Sequence, residues 1–275
     1  MKILIVGGAG FIGSMTAGWL IQQTNYAVVS IDNLSVTKDV YNLEPAIKSP
    51  RRHSFYVANI FDDQIMRGIL RIEQPDVIVV ATTPNAESYC RAGQLYALAK
   101  EEGIVLDRII QIASHKDHKG LYDDFYQSGD VEPGVIRVFS CRLFGPRQQA
   151  RHFVPATISS ILNDRIPNIH ANGSDVQEWL YAHDFFTALL AIIRTDSPGS
   201  SYTVSAGYFG TEAEIADSLL VCMGHEPLFK VSAVIVPNEI DTAEIRELGW
   251  FPKTDLSAAL EHTASWYAAN KWGLR

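Results

Sequence analysis

Lys2-Ile3-Leu4-Ile5-Val6-Gly7-Gly8-Ala9-Gly10-Phe11-Ile12-Gly13 is the stretch that settles the architecture. Ile3 to Val6 form an unbroken apolar run, the pattern of a strand buried on both faces. Glycines then punctuate a turn. Behind it Phe11, Ile12, Met15, Trp19 and Leu20 recur at helical spacing, which predicts an amphipathic helix lying on the sheet. Val28-Val29-Ser30-Ile31 reads as the next strand, and it ends at Asp32, nineteen residues beyond Gly13.

Each of these residue types has a physical reason to be where it is. Gly7 ends the strand in a tight turn, Gly10 lacks the Cβ that would hold a pyrophosphate off the backbone, and Gly13 lets the helix pack closely. Unpaired N–H groups and the positive end of the helix dipole then face the phosphates. A carboxylate at Asp32 accepts both hydroxyls of an adenine ribose. It would repel a 2′-phosphate, and no Arg or Lys follows before Lys38, so the reading is NAD and not NADP.

Bulk properties narrow the remaining choices. The chain has 275 residues, 47% of them apolar, enough for a large core in one or two domains. A net charge of −8, with no basic cluster beyond Arg51-Arg52, argues against a nucleic-acid partner. Cys90, Cys141 and Cys222 are odd in number, widely spaced and lack a CxxC, so they read as reduced thiols, with neither a disulfide frame nor a metal site. The chain starts directly in a strand, and no apolar run reaches the ~18 residues of a membrane span. A soluble, cytoplasmic protein is expected.

Strands are predicted at Lys2–Val6, Ala27–Ile31, Ser54–Val57, Val77–Ala81, Arg108–Ile112 and Val135–Phe139. Helices are predicted at Phe11–Gln23, Asp62–Glu73, Ala86–Glu102 and, briefly, Leu121–Tyr126. This alternation predicts an α/β fold, a doubly wound parallel sheet of the Rossmann type. After Gly145-Pro146 the texture changes to helices at His152–Leu162, His183–Arg194, Thr211–Met223, Thr242–Leu248 and Leu256–Trp272. Extended segments are read at Ile166–Ala171 and between Pro227 and Pro237, and Ser201–Ser205 is expected to return to the sheet. The division is residues 1–145 as an NAD-binding domain and 146–275 as a smaller C-terminal substrate lobe, with no linker between them.

With those elements placed, the chain resembles the extended short-chain dehydrogenase/reductases, specifically the NAD-dependent nucleotide-sugar epimerases and dehydratases. Gly7-Gly8-Ala9-Gly10-Phe11-Ile12-Gly13-Ser14 matches the opening of that family, and Ile31-Asp32-Asn33-Leu34 its ribose-binding strand end. A distant second match runs through Phe144-Gly145-Pro146-Arg147, Phe153-Val154-Pro155, Asn172-Gly173 and Glu178-Trp179-Leu180-Tyr181-Ala182-His183-Asp184. The resemblance implies a cofactor site of Gly7, Gly10, Phe11, Ile12, Gly13, Asp32, Asn33, Asn59, Ile60, Ala81, Thr82 and Lys119, with Asn59 where the family often has an Asp contacting adenine. It implies a nucleotide-sugar substrate held by Arg142, Arg147, Gln177 and Trp179. Gln177 stands where the family commonly has a phosphate-binding Arg, which leaves Arg142 and Arg151 to compensate. A homodimer through the two long helices flanking the active site is also implied, although both corresponding segments, Ala86–Glu102 and Leu121–Tyr126, are short.

The centre of the sequence departs from the family pattern, since no Tyr-x-x-x-Lys occurs anywhere. Two overlays of what remains are open. In one, His115-x-x-x-Lys119 replaces the missing pair, with Lys119 on the nicotinamide ribose and His115 taking the sugar hydroxyl's proton. In the other, Ser114-His115-Lys116 resembles the Thr-Asp-Lys of some inverting dehydratases. Both make Ser114, His115, Lys116 and Lys119 the catalytic candidates. Imidazole titrates near 6.5 and phenol near 10, so a histidine is already a competent base at neutral pH. The rival readings are a catalytically silent NAD-binding relative that acts as a regulatory or binding subunit, and a plain NADH-dependent reductase.

Overall fold

Strands with no polar face are stable only when helices cover both sides of their sheet. That condition is met by β1 (Lys2–Val6) and β4 (Val77–Val80), whose Ile3 to Val6 and Val77 to Val80 are all buried. The computed structural model describes residues 1–36, 40–82, 86–114, 134–170, 175–229 and 240–274. The predicted helix at Leu121–Tyr126 lies outside these, as does most of the segment between Pro227 and Pro237. The chain forms two compact units, one of Met1–Phe139 with Ile192–Tyr202 and the other of Ser140–Ala191 with Thr203–Arg275.

In the first unit β1 is followed by α1 (Phe11–Gln23), β2 (Ala27–Asp32), a 3₁₀ turn at Tyr41–Leu43, α2 (Glu44–Ile47) and β3 (His53–Val57). Then come α3 (Asp63–Glu73), β4, α4 (Ala86–Glu101), β5 (Arg108–Ser114) and β6 (Val135–Ser140). With the later β9 (Ser201–Val204), the seven strands are ordered β3-β2-β1-β4-β5-β6-β9. Pairs β3–β2, β2–β1, β1–β4 and β4–β5 are parallel. The chain thus builds outward from β1 to β3, then restarts at β4 on the other side of β1. The crevice beyond the carboxyl ends of β1 and β4 is where such sheets bind ligands.

Helix packing explains one difference from the sequence pattern. Leu4, Val6, Val29, Ile31, Ile78 and Val80 form one face of the sheet, covered by Met66, Ile69 and Leu70 of α3 and Ala92, Leu95 and Ala99 of α4. The buried stripe of α1 consists mainly of small residues, Gly13, Ser14, Thr16, Ala17 and Gly18, together with Phe11, Leu20 and Ile21. Ile12, Met15 and Trp19 flank it, half-buried. Small side chains let the helix axis approach the strands, which a row of large apolar residues would prevent. The negative end of α1 is met by Arg52, which donates to the carbonyls of Ile21 at 2.6 Å and Thr24 at 2.7 Å.

The second unit holds β7 (Arg142–Phe144), β8 (Val176–Tyr181) and β10 (Tyr208–Thr211) in the order β10-β8-β7, antiparallel on one side and parallel on the other. Its helices are α5 (Phe153–Leu162), the start of α6 (Ala182–Arg194), α7 (Glu212–Cys222), α8 (Ala243–Glu247) and α9 (Leu256–Ala269). Phe144, Phe153, Trp179, Ile215, Leu219, Leu260 and Tyr267 make its core. A capping box starts α7, where Thr211 Oγ1 accepts the Glu214 N–H and the Glu214 carboxylate accepts the Thr211 N–H. The extended segment predicted from Ile166 is not a strand over residues 166–170. Strands β7 and β10, which no alternating pattern announced, supply the pairing partners of β8.

Beneath the glycine turn lies a buried polar pair: His53 Nε2 is 3.0 Å from Ser30 Oγ. Burial holds the His53 imidazole below its ordinary 6.5. The unfolded chain takes up that proton near its ordinary value and the folded chain resists it. Stability from this group is therefore complete above 6.5 and declines as the pH falls through 6.5 toward the folded value. Urea midpoints measured from neutral to mildly acid pH should fall, and His53→Asn, which keeps a partner for Ser30, should flatten the slope. An unchanged slope in that variant would contradict the assignment.

Candidate functional site

At the end of β1 the backbone turns through Gly7, whose φ of +75° disfavours any side chain. A Cβ there would also lie 2.7 Å from the Ala81 carbonyl, so the turn is seated directly on the end of β4, beside Ala81 and Thr82. Gly8 sits on Ser30, and a Cβ added to it would lie 2.6 Å from the serine's own Cβ. At Gly13 a Cβ would come within 2.1 Å of the Gly7 carbonyl, so this glycine is required by the turn folding back on the helix. Gly10 differs. Its Cβ would meet one atom, the Gly7 carbonyl oxygen at 3.3 Å, and otherwise open space.

Gly10 is also the residue preceding α1, and it provides no side-chain cap; no acid lies in the helix's first turn. The leading N–H groups of α1 are thus left for a ligand. Across the crevice Asp32 Oδ2 accepts the Ala9 N–H at 3.0 Å and Oδ1 accepts the Leu34 N–H at 2.8 Å. These bonds orient the carboxylate and leave lone pairs on both oxygens for a ribose diol. Asn33 turns away to accept the Ser35 N–H at 3.0 Å.

The next strand end adds a second polar group. The Ala58 N–H donates to the Asp32 carbonyl at 3.0 Å, so the turn after β3 begins beside the acid. There the exposed Asn59 accepts the Phe61 N–H at 3.1 Å, while Ile60 is buried. Gly7, Gly10, Gly13, Asp32, Asn59, Ile60, Ala81 and Thr82 are therefore all carried on or just beyond the carboxyl ends of β1 to β4. Phe11 faces inward and Ile12 is half-buried. Ser114 closes β5; His115, Lys116 and Lys119 lie outside the described residues.

In the second unit Arg142 projects from β7, with its guanidinium 4.8 Å from the Trp179 ring centroid and 5.8 Å from that of Phe153. Its Nη1 donates to Glu212 Oε1 at 2.8 Å. Glu212, which no sequence motif marks, also accepts the His170 backbone N–H at 2.9 Å and lies 3.0 Å from His170 Nδ1. Burial alone would raise this carboxyl, but the bonds from His170 and Arg142 outweigh it and hold it below its ordinary value. Trp179 is 1% exposed and donates to the Gly210 carbonyl at 2.9 Å, so it supports Arg142 from the core. Gln177 is buried, its Oε1 without a hydrogen-bond partner. Arg147 adopts a left-handed φ of +68° and lies 5.5 Å from the Trp266 ring centroid. Among the described residues no three His, Cys, Asp or Glu side chains converge as a metal site, and no helix is long and apolar enough to cross a membrane.

Known proteins share this fold. A model of the GDP-mannose 4,6 dehydratase family matches residues 4–81, and that of the NAD dependent epimerase/dehydratase family matches residues 122–205. The dTDP-D-glucose 4,6-dehydratase of Mus musculus is 23% identical over 319 residues, covering 98% of this chain and 89% of that protein. The chain resembles the extended short-chain dehydrogenase/reductases of the NAD-dependent epimerase/dehydratase kind.

Solved structures of such enzymes share the fold along nearly the full chain. A dTDP-glucose 4,6-dehydratase from Bacillus anthracis in complex with NAD aligns with a TM-score of 0.84 at 19% identity, covering 99% of this chain and 98% of that one. A UDP-glucose 4-epimerase from Thermotoga maritima with UDP-glucose gives 0.77 at 20% identity, covering 98% and 100%. The alignment with the mouse enzyme is longer than this 275-residue chain, so that relative carries segments the present one lacks.

The family's cofactor is NAD, and the turn fits it. The open side of Gly10 admits a diphosphate to the backbone, and the fixed Asp32 carboxylate suits an unphosphorylated ribose. Two substitutions separate folding from binding. Gly13→Ala should lower stability by on the order of 3 kcal/mol, as overpacking against backbone does. Gly10→Ala should leave thermal unfolding nearly unchanged yet weaken NAD at least tenfold, about 1.4 kcal/mol. Calorimetric titration of the folded Gly10→Ala variant checks this, and wild-type affinity would refute the backbone contact.

Proposed function

We propose that the chain modifies a nucleotide-activated sugar by transient oxidation, with epimerisation or 4,6-dehydration as the outcome. The observation that carries this reading is the Gly7–Gly13 turn locked by Ala9 to Asp32 at the switch point of the sheet, in a chain whose relatives act on such sugars. Bound NAD supplies a hydride acceptor that returns what it takes. The protein must then hold the cofactor, grip the substrate's anionic end and move protons.

The first task falls to the turn and Asp32. For the second, Arg142 is the best-supported group, since its guanidinium is oriented by Glu212 and backed by an indole. Arg147 presents a second guanidinium stacked on Trp266. Gln177, buried where relatives commonly have an arginine, adds a hydrogen-bonding amide without charge.

Proton transfer falls to His115. Every described tyrosine with a displaced acidity is displaced upward. Tyr56 is pushed up to about 12 by its hydrogen bond to Glu73, and Tyr181 to about 12 by burial and then by Asp184. Tyr208 and Tyr267 rise through burial as well. A phenol serving as base needs the opposite shift. The resemblance assigns His115 the proton of the sugar hydroxyl; in one overlay Lys119 holds the nicotinamide ribose, and in the other Ser114 and Lys116 share the acid–base work with His115. The missing Tyr-x-x-x-Lys favours one alternative, a relative that keeps NAD and has lost turnover.

Incubating the purified protein with UDP-, dTDP- and GDP-sugars and following products by mass spectrometry and NMR distinguishes these readings. Loss of one water, or inversion at one carbon, with no net consumption of cofactor is the expected result. Steady NADH consumption would instead identify a reductase. Bound NAD with every sugar returned unchanged would support the silent relative. His115→Ala should abolish turnover while NAD affinity stays within about twofold, well under the 1.4 kcal/mol of a tenfold change.

A further inference from the structure

Arg91 stands on α4 directly beside the core residues Ala92 and Leu95, and it is 3% exposed. Its Nε donates to the Ile60 carbonyl at 2.6 Å, and its Nη1 lies 2.7 Å from Asp63 Oδ1 and 3.0 Å from Gln94 Oε1. The guanidinium carbon is 5.9 Å from the Phe61 ring centroid. Nη2 is buried with no hydrogen-bond partner. One side chain from α4 thus engages Ile60 and Phe61 of the turn that follows β3 and Asp63 at the start of α3.

Burying a guanidinium with one nitrogen unmet is costly, and joining two helices does not require it. Separate ion pairs, Arg67 with Glu101 and Glu102 and Arg71 with Glu102, already clasp α3 to α4. What Arg91 adds is a side-chain tie to the turn, whose backbone is also held by Ala58 N–H to the Asp32 carbonyl and Asp62 N–H to the Asn59 carbonyl. The Ala58 N–H bonded to the Asp32 carbonyl starts that turn beside the acid, so residues 59–61 are the next surface reached from Asp32 along the strand ends. Asn59 is exposed there, and its Oδ1 is fixed by the Phe61 N–H, the residue whose ring Arg91 covers. Asn59, Phe61, Asp63, Arg91 and Gln94 also line one cleft of about 880 Å³.

We propose that Arg91 is a positioning residue for recognition of the cofactor's adenine: it holds the Asn59–Phe61 turn so that the base is read, and not only the ribose and diphosphate. This rests on the reading of Asp32 as the ribose anchor. Arg91 touches neither substrate nor cofactor, and its effect is transmitted through the Ile60 carbonyl and the Asn59 amide.

The test compares two dinucleotides that differ only at the base. Nicotinamide hypoxanthine dinucleotide replaces the N6 amine of NAD with a carbonyl oxygen and adds a proton at N1, reversing the donor–acceptor pattern along that edge. Calorimetry on the wild type should show a preference for NAD. Arg91→Met keeps the apolar stem and removes the charge, and it should shrink that preference about tenfold, the scale of one oriented hydrogen-bond pair. Arg91→Lys, which can reach one of the three acceptors but not all of them together, should retain an intermediate ratio and keeps the test alive if the methionine variant fails to fold. Loss of affinity for both dinucleotides by the same factor, with the ratio intact, would make Arg91 merely structural and overturn the proposal. Equal binding of the two by the wild type would overturn it as well. Binding of neither by the wild type would instead bring down the cofactor reading on which it rests.

Discussion

The first unit of this protein depends on backbone brought within van der Waals distance of backbone. Gly7 rests on the Ala81 carbonyl, Gly13 on the Gly7 carbonyl and Gly8 on Ser30, so the strand, the turn and the first helix meet with no side chain between them. The Ala9 N–H then reaches Asp32 and couples the turn to the end of β2. Close approach and the acid are therefore one device: the carboxylate is oriented by the same loop in which Gly10 is left open. The small-residue stripe of α1 follows from the same demand, since a helix that begins against a carbonyl must run close to the sheet.

This dependence explains what was legible from sequence. Backbone approach demands glycine, and glycine at fixed offsets after an apolar strand is visible in the letters alone. The β1–α1–β2 region and the place of Asp32 at the end of β2 were accordingly readable, as were the helical spans that became α3 and α7. Features created by distant residues were not. Strands β7 and β10 are three and four residues long and exist because β8 offers both edges. The apolar spacing in α1 pointed to Ile12, Met15 and Trp19, whereas close packing selected the small residues between them. His53, Arg91 and Glu212 carry no local signal, because each acquires its role from a partner at least 23 residues away.

The two units solve the problem of charge differently. In the first, the polar groups at the crevice are fixed by short bonds to the main chain. In the second, Arg142 is held by a buried carboxylate that also binds His170, with an aromatic surface behind the guanidinium. An oriented arginine loses little freedom when it meets an anion, and its planar fork suits phosphate oxygens. Gln177, on the adjoining strand, carries no charge and is buried.

The electrostatics of α1 have a consequence of their own. Between Lys2 and Lys38 the sequence contains no lysine or arginine, Arg52 neutralises the far end of the helix, and the near end bears neither cap nor acid. A diphosphate arriving there is met by stationary peptide dipoles instead of mobile ammonium or guanidinium groups. Few counterions need to be shed and no long side chains need to be frozen, so occupancy should be comparatively insensitive to ionic strength, as expected of a ligand retained through many turnovers.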